Sequence, residues 1–350
     1  MPRYCKILFF FFLFSLFSCK KEPQHTADGK EVTLQYARYL RLKQQENTIA
    51  YATGESQFKT LKINPKRVIV NGTSIIGYLK ALQLQSYVVG VNNPQYISDS
   101  TIQKDIKAQK IAVIGNQSSV DVEKVLSLKP DVFLSYSDPN LTKVHEKLES
   151  MGVPVVLVNE FREEKPLGKA EWLLFFGLLF NKEKEATDYF KNVEQHYNQL
   201  VAQNKQYTQK PTVLTDIMYG DVWYLPHQQS FMAQFIADAG GEYIFKNHTE
   251  NPLNLGFQTV FEEAQNADFW INASNCQSLA QLAAKNNRYQ LFKAFKNQEV
   301  YAITGKQKEE ANDYFEIGIT RHDLILNDLT IIFHHPQDIS QLVFYRKLVR

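Results

Sequence analysis

The stretch Val120-Asp121-Val122-Glu123-Lys124-Val125-Leu126-Ser127-Leu128-Lys129-Pro130-Asp131-Val132-Phe133-Leu134 decides the fold, because it reads as a helix followed at once by a strand. Residues 120–128 carry the helix, and Asp131 to Leu134 form a short apolar strand that ends in the polar loop 135–139. The same grammar extends in both directions. Downstream, the pattern predicts a helix over 142–151 closed by Gly152 and a strand over 155–158. Upstream it predicts strands at 111–114, 87–91 and 68–70, a turn at Asn71-Gly72-Thr73-Ser74 and a helix over 75–84. Continuous apolar strands alternating with helices indicate a mostly parallel sheet covered on both faces.

Outside this lobe the pattern changes twice. Alternating segments at 32–37 and 48–52 read as short strands of a hairpin or edge structure. After Pro166 the chain is strongly helical through Trp172 and Phe180, breaks at 181–183, and resumes as a helix to about residue 204. In that last helix Ala186, Phe190, Val193, Tyr197 and Leu200 keep one apolar face. At 1.5 Å per residue, roughly 24 residues make a rod of about 36 Å. Such a rod suits a spacer packed along two lobes; a crossover helix inside one large domain is the alternative. A second α/β series follows, with strands at 213–218, 269–272 and 300–303. Helices are expected at 230–239, 258–264, 279–284, 290–295 and 324–333.

The N-terminus supplies a different signal. An apolar run from Ile7, behind Arg3 and Lys6, ends in Leu16-Phe17-Ser18-Cys19. A run of roughly a dozen residues is too short to span a bilayer core, so it reads as a signal-peptide core. Leu16 and Ser18 ahead of Cys19 resemble the bacterial lipobox, in which the Cys is acylated and becomes the mature N-terminus. The expected organisation is a signal peptide (1–18), a lipid-anchored tether (19–30), an N-terminal α/β lobe (31–165), a helical connector (166–210), a C-terminal α/β lobe (211–340) and a tail (341–350).

Losing the leader removes Arg3 and Lys6 and cancels the formal net charge of +2, leaving no basic excess for nucleic acid. Of three Cys, only Cys276 stays in the body, so no internal disulfide is possible there. Its thiol reads as a small buried hydrophobe rather than a nucleophile. Walker and dinucleotide glycine spacings, HExxH, paired-cysteine zinc motifs and Gly-x-Ser-x-Gly are all missing. The eight His are scattered. No enzyme is expected, and no resident cofactor or metal.

Ligands of open α/β sheets sit on the loops after strand C-termini. In the first lobe those loops carry Ser74, Tyr96, Asn116, Tyr136 and Phe161; in the second, Trp223, Tyr224, His227 and Asn275. Aromatics with polar tips offer rigid contact area together with a hydrogen bond. Trp223 and Tyr136 are the favoured anchors, expected on opposing cleft rims.

The segment Asp121 to Val132 resembles the helix-to-strand signature of periplasmic binding proteins for iron-siderophore, haem and cobalamin ABC importers. Other stretches are similar to the lipoprotein branch of that family and occur in its order. They include Asn71-Gly72-Thr73-Ser74, Glu171-Trp172, Val222-Trp223-Tyr224, Ala239-Gly240-Gly241 and Asn312-Asp313-Tyr314-Phe315-Glu316. The resemblance implies two Rossmann-like lobes joined by one long rigid helix, with the ligand gripped between lobe tips. It also implies a non-catalytic monomer that delivers a small-molecule metal chelate to a membrane permease powered by a separate ATPase. An acid at the position of Glu123, in the first turn of the helix behind Ser118-Ser119-Val120-Asp121, would meet a permease arginine. On the second lobe the chain departs from the pattern, with Gln258 where Glu is expected and Glu262 or Glu263 as substitutes. A surface lipoprotein with a degenerate cleft, serving adhesion or scaffolding, is the competing reading.

Overall fold

The computed structural model describes residues 29–116 and 119–350, so the leader, Cys19 and Ser118 lie outside the described residues. The described chain opens with an antiparallel sheet of β1 (Lys30–Val32), β2 (Leu40–Gln44), β3 (Thr48–Thr53) and β4 (Lys59–Lys62), in that order. Most of the strand expected at 32–37 is instead a loop held by side chains. The backbone N–H groups of Gln35, Tyr36 and Ala37 donate to Glu171, and those of Arg38 and Tyr39 donate to Glu163.

The first lobe follows the expected alternation. It comprises β5 (Val68–Val70), α1 (Thr73–Ala81), β6 (Val88–Val91), α2 (Ser100–Lys107), β7 (Ala112–Val113), the small hairpin β8 (Gly115–Asn116) and β9 (Ser119–Val120), α3 (Val122–Ser127), β10 (Val132–Ser135), α4 (Thr142–Ser150) and β11 (Val155–Leu157). Its five-stranded sheet is parallel throughout, in the order β11-β10-β5-β6-β7. Connections leave β5 and β10 in opposite directions, so the switch point of this doubly wound sheet lies between them.

The stretch that decides the fold also closes it. Asp121, rather than a serine, caps α3, its carboxylate accepting the Lys124 N–H at 3.0 Å. The chain turns out of the helix through Lys129 at φ 47° just before Pro130. Asp131 then accepts the N–H groups of Lys66 and Arg67, at 2.7 and 2.9 Å. The Arg67 guanidinium returns two bonds to the free carbonyl of Leu128 at the helix end. This ties α3, β10 and the start of β5 together.

The connector is α5 (Pro166–Glu171), α6 (Leu173–Leu179) and the 22-residue α7 (Glu183–Asn204). Ala186 of α7 belongs to the first-lobe core, while Val193 and Tyr197 belong to the second-lobe core, so this helix lies along both lobes. The second lobe comprises β12 (Thr212–Thr215), β13 (Met218–Tyr219), β14 (Val222–Leu225), α8 (Phe231–Asp238), β15 (Glu242–Tyr243), β16 (Leu253–Leu255), α9 (Phe257–Ala264), β17 (Phe269–Ile271), α10 (Leu279–Lys285), α11 (Lys293–Lys296), β18 (Tyr301–Ala302), β19 (Gln307–Lys308), β20 (Ala311–Asn312), α12 (Asp313–Glu316), α13 (His322–His334) and β21 (Arg346–Lys347). Parallel strands β15-β12-β17 form its core, with β13-β14-β16 as a separate antiparallel meander. Residues 341–350 are part of this lobe and not a tail. The Asp328 carboxylate accepts the N–H groups of Val343, Phe344 and Tyr345, β21 pairs with β18, and Phe344 and Leu348 are buried.

The lobes also touch directly. Gly77 of α1 packs so closely on α12 that a Cβ there would sit 1.9 Å from the Glu316 carbonyl oxygen. The Ser98 N–H donates to the Glu316 carboxylate at 2.7 Å, and its hydroxyl bonds Asp313. Glu316 is fully buried with Oε1 unpartnered, and burial pushes its carboxyl up to about 7. Among the described residues no helix is long and apolar enough to cross a membrane.

Candidate functional site

At the first-lobe switch point the strand ends are held by a buried polar row. Asn92 Nδ2 donates to Asn71 Oδ1 and Asn71 Nδ2 to Ser135 Oγ, both at 3.1 Å, and His145 Nε2 lies 3.0 Å from the same hydroxyl. Burial lowers the His145 pKa, keeping the ring neutral. These groups satisfy one another and fix the loops above them. Ser74, on the first turn of α1, is engaged with the buried Glu160, whose carboxyl is raised by burial and opposed by Ser74 and Lys169. Tyr136 is half-buried with its ring against Gly72. Phe161 is exposed beside Arg162, and Asn116 is exposed on the β8–β9 hairpin.

The second lobe places strained backbone at the equivalent edge. Asp216, Asn272 and Ser274, just past β12 and β17, have φ of 61°, 55° and 59°. Side chains in this left-handed region persist only where surrounding contacts hold them. Here Thr215 Oγ1 donates to Asp216 at 2.8 Å, and the Tyr345 hydroxyl donates to Asn272 Oδ1 at 2.7 Å. Burial pushes the Asp216 carboxyl up to about 6.

Trp223 is not a cleft residue. It is 0% exposed, packed among Trp270, Tyr289 and Phe292, with Nε1 donating to the Thr215 carbonyl at 3.0 Å. Strand periodicity is the reason: along β14 Trp223 and Leu225 face inward and Tyr224 outward. Tyr224 is accordingly exposed, next to the exposed Tyr219 of the same hairpin. His227 is half-buried and its Nδ1 accepts the Gln229 N–H, which shapes its own loop.

Between the lobes lies a cavity of about 450 Å³. Thr73 and Tyr96 line it from the first lobe; Asn275, Gln307, Asn312 and Phe315 line it from the second, together with the acids Glu309 and Glu310. Of the residues expected from sequence, Tyr96 and Asn275 meet here; Ser74, Asn116, Tyr136, Phe161, Trp223, Tyr224 and His227 do not line it. Sequence reasoning missed Phe315 and the β19–β20 hairpin. That hairpin turns through Glu309 at φ 54° without the Gly or Asn that would announce it. No cluster of three or more His, Cys, Asp or Glu suited to a metal ion occurs among the described residues.

The docking candidates are on the surface. Glu123 is exposed in the first turn of α3. On α9, Gln258 Nε2 donates to Glu262 Oε1 at 2.7 Å, while Glu263 lies 3.0 Å from His248 Nε2.

Comparison with known proteins agrees with the fold. Over 289 residues the chain is 29% identical to an uncharacterised lipoprotein of Methanocaldococcus jannaschii, covering 79% of this chain and 67% of that one. A possible iron-binding periplasmic solute-binding protein from Staphylococcus epidermidis shares its fold, with a TM-score of 0.60 at 18% identity over 77% of this chain and 98% of that one. So does an ABC-type Fe3+-hydroxamate transport protein from Saccharomonospora viridis, with a TM-score of 0.61 at 16% identity, 79% and 96% covered. The family model described as periplasmic binding protein matches residues 68–306, which run from the first strand of the first parallel sheet to the edge of the cavity hairpin. The chain therefore belongs to the periplasmic binding protein family, whose members bind solutes and are not enzymes.

Proposed function

We propose that this protein is the substrate-binding lipoprotein of an ABC importer, capturing an iron-siderophore, haem or cobalamin-type ligand and handing it to a permease driven by a separate ATPase. The observation that carries the reading is the cavity lined from both lobes. At about 450 Å³ it falls within the roughly 300–1,000 Å³ of small-molecule sites. Aromatic faces on opposite walls, Tyr96 and Phe315, suit a rigid chelate. Cys19 would anchor the chain to the periplasmic or extracytoplasmic face of a membrane through its acyl groups, since stable retention takes more than one acyl chain. The exposed Glu123 and the Gln258–Glu262 pair would meet permease arginines. Native mass spectrometry of the purified protein tests the reading: a co-purified chelate, with thermal stabilisation on adding it back, is the expected result. A bare protein that no chelate stabilises would favour the scaffold alternative.

A further inference from the structure

Every side-chain charge on the cavity wall has one sign. Glu309 and Glu310 contribute carboxylates, and no Lys, Arg or His shares the lining. Neither acid has an ion-pair partner among the described residues. Glu309 also lines a neighbouring groove, which it shares with Lys104, Lys107 and Lys308; these lysines are not among the residues of the cavity wall itself. The remaining polar lining includes the hydroxyls of Thr73 and Tyr96 and the Asn275 amide, which can donate or accept, and one acceptor that stands unpaired. Gln307 spends its amide N–H on the Glu309 carbonyl and leaves Oε1 buried without a partner, and Asn312 spends its N–H on the Ile303 carbonyl. A buried acceptor without a partner is destabilising, and a donor from a ligand would relieve it. The aromatic faces of Tyr96 and Phe315, both lining the cavity and partly open to solvent, favour a cation as well.

We infer that the cavity selects a positively charged ligand and rejects polyanionic chelates. This rests on the chelate-capture reading above and narrows it to one charge class. A carboxylate pair on a wall that carries no cation attracts a cation and repels an anion at the same site, so the acids set specificity more than overall affinity.

The test compares three ferric chelates by tryptophan-fluorescence titration of the purified chain. The probes are ferrioxamine B, whose free ammonium makes it singly positive; its N-acetylated form, which is neutral; and ferric enterobactin, which is triply negative. The wild type is expected to bind ferrioxamine B about tenfold tighter than the acetylated form and to show no binding of enterobactin. The Glu309→Gln/Glu310→Gln double variant should keep its affinity for the neutral form and lose the tenfold preference. Both positions are exposed, so the fold is not at stake. Tighter binding of enterobactin than of ferrioxamine B overturns the charge assignment and leaves chelate capture standing. So does an unchanged preference in the double variant. Failure of all three chelates to bind overturns the charge inference, and if haem and cobalamin also fail to bind, the chelate-capture reading falls with it.

Discussion

Two aromatic residues show how one residue type serves two ends. Trp223 and Phe315 stand equally in the sequence as large rings near strand ends, yet the first is wholly buried and the second is 53% exposed on the cavity wall. Trp223→Ala should therefore cost about 3–5 kcal/mol of stability by opening a core void, read as a large fall in melting temperature. Tyr96→Ala and Phe315→Ala should leave the melting temperature nearly unchanged while weakening ligand binding roughly tenfold or more. If Trp223→Ala melted normally and lost only ligand, the assignment of the two roles would be reversed. At this scale the sequence could name aromatics but not aim them. The inward position of Trp223 depends on the pairing of β14 with β13 and β16, a meander of short strands with no strong apolar run.

Elements were legible where their stabilising contacts are local. Helix α3 and strand β10 carry their own cap, turn and closing acid within a dozen residues, and their pattern reads directly. The loop at 33–39 does not, because its backbone is satisfied by Glu163 and Glu171 from far along the chain. Helix α2 was equally hidden: it buries little beyond Ile102, although Asp99 marks its start by accepting the N–H groups of Thr101 and Ile102. On the candidate docking helices, the partners separate the acids. Glu263 is held against the His248 ring, whereas Glu262 accepts only from the Gln258 amide. In an uptake assay, Glu123→Arg and Glu262→Arg should each abolish transport with ligand affinity intact, while Glu263→Arg should not. Charge reversal at a contact rim places like charges together and defeats register. Normal uptake with both reversed acids would remove this docking scheme.

The whole molecule is joined by more than α7, because α1 packs on α12 at Gly77 and Ser98 reaches Glu316. Gly77→Ala should force these helices apart, costing about 1–3 kcal/mol and weakening ligand affinity although Gly77 lines no part of the cavity. An unchanged melting temperature would mean the contact yields freely. Glu316 adds a pH dependence. Its folded pKa of about 7 lies above its ordinary 4.5, with burial the main cause, Lys80 opposing and Asp313 assisting. The folded state thus holds a proton that the unfolded chain has already released. The contribution is complete below about 4.5 and is lost as pH rises through about 7. Glu316→Gln, which cannot ionise, should be more stable than the wild type near pH 7.5, by on the order of 2–3 kcal/mol, and equal to it near pH 4.5. A gap that did not change with pH would place the proton elsewhere. Cys276 is the one free cysteine among the described residues, 2% exposed, with burial raising its thiol pKa. In a chain begun at Gly29 it would stay silent to thiol reagents. Paired spin labels at Glu123→Cys and Gln258→Cys would then report the spacing of α3 on one lobe and α9 on the other without a background signal, and a distance distribution recorded with and without ligand would measure closure directly.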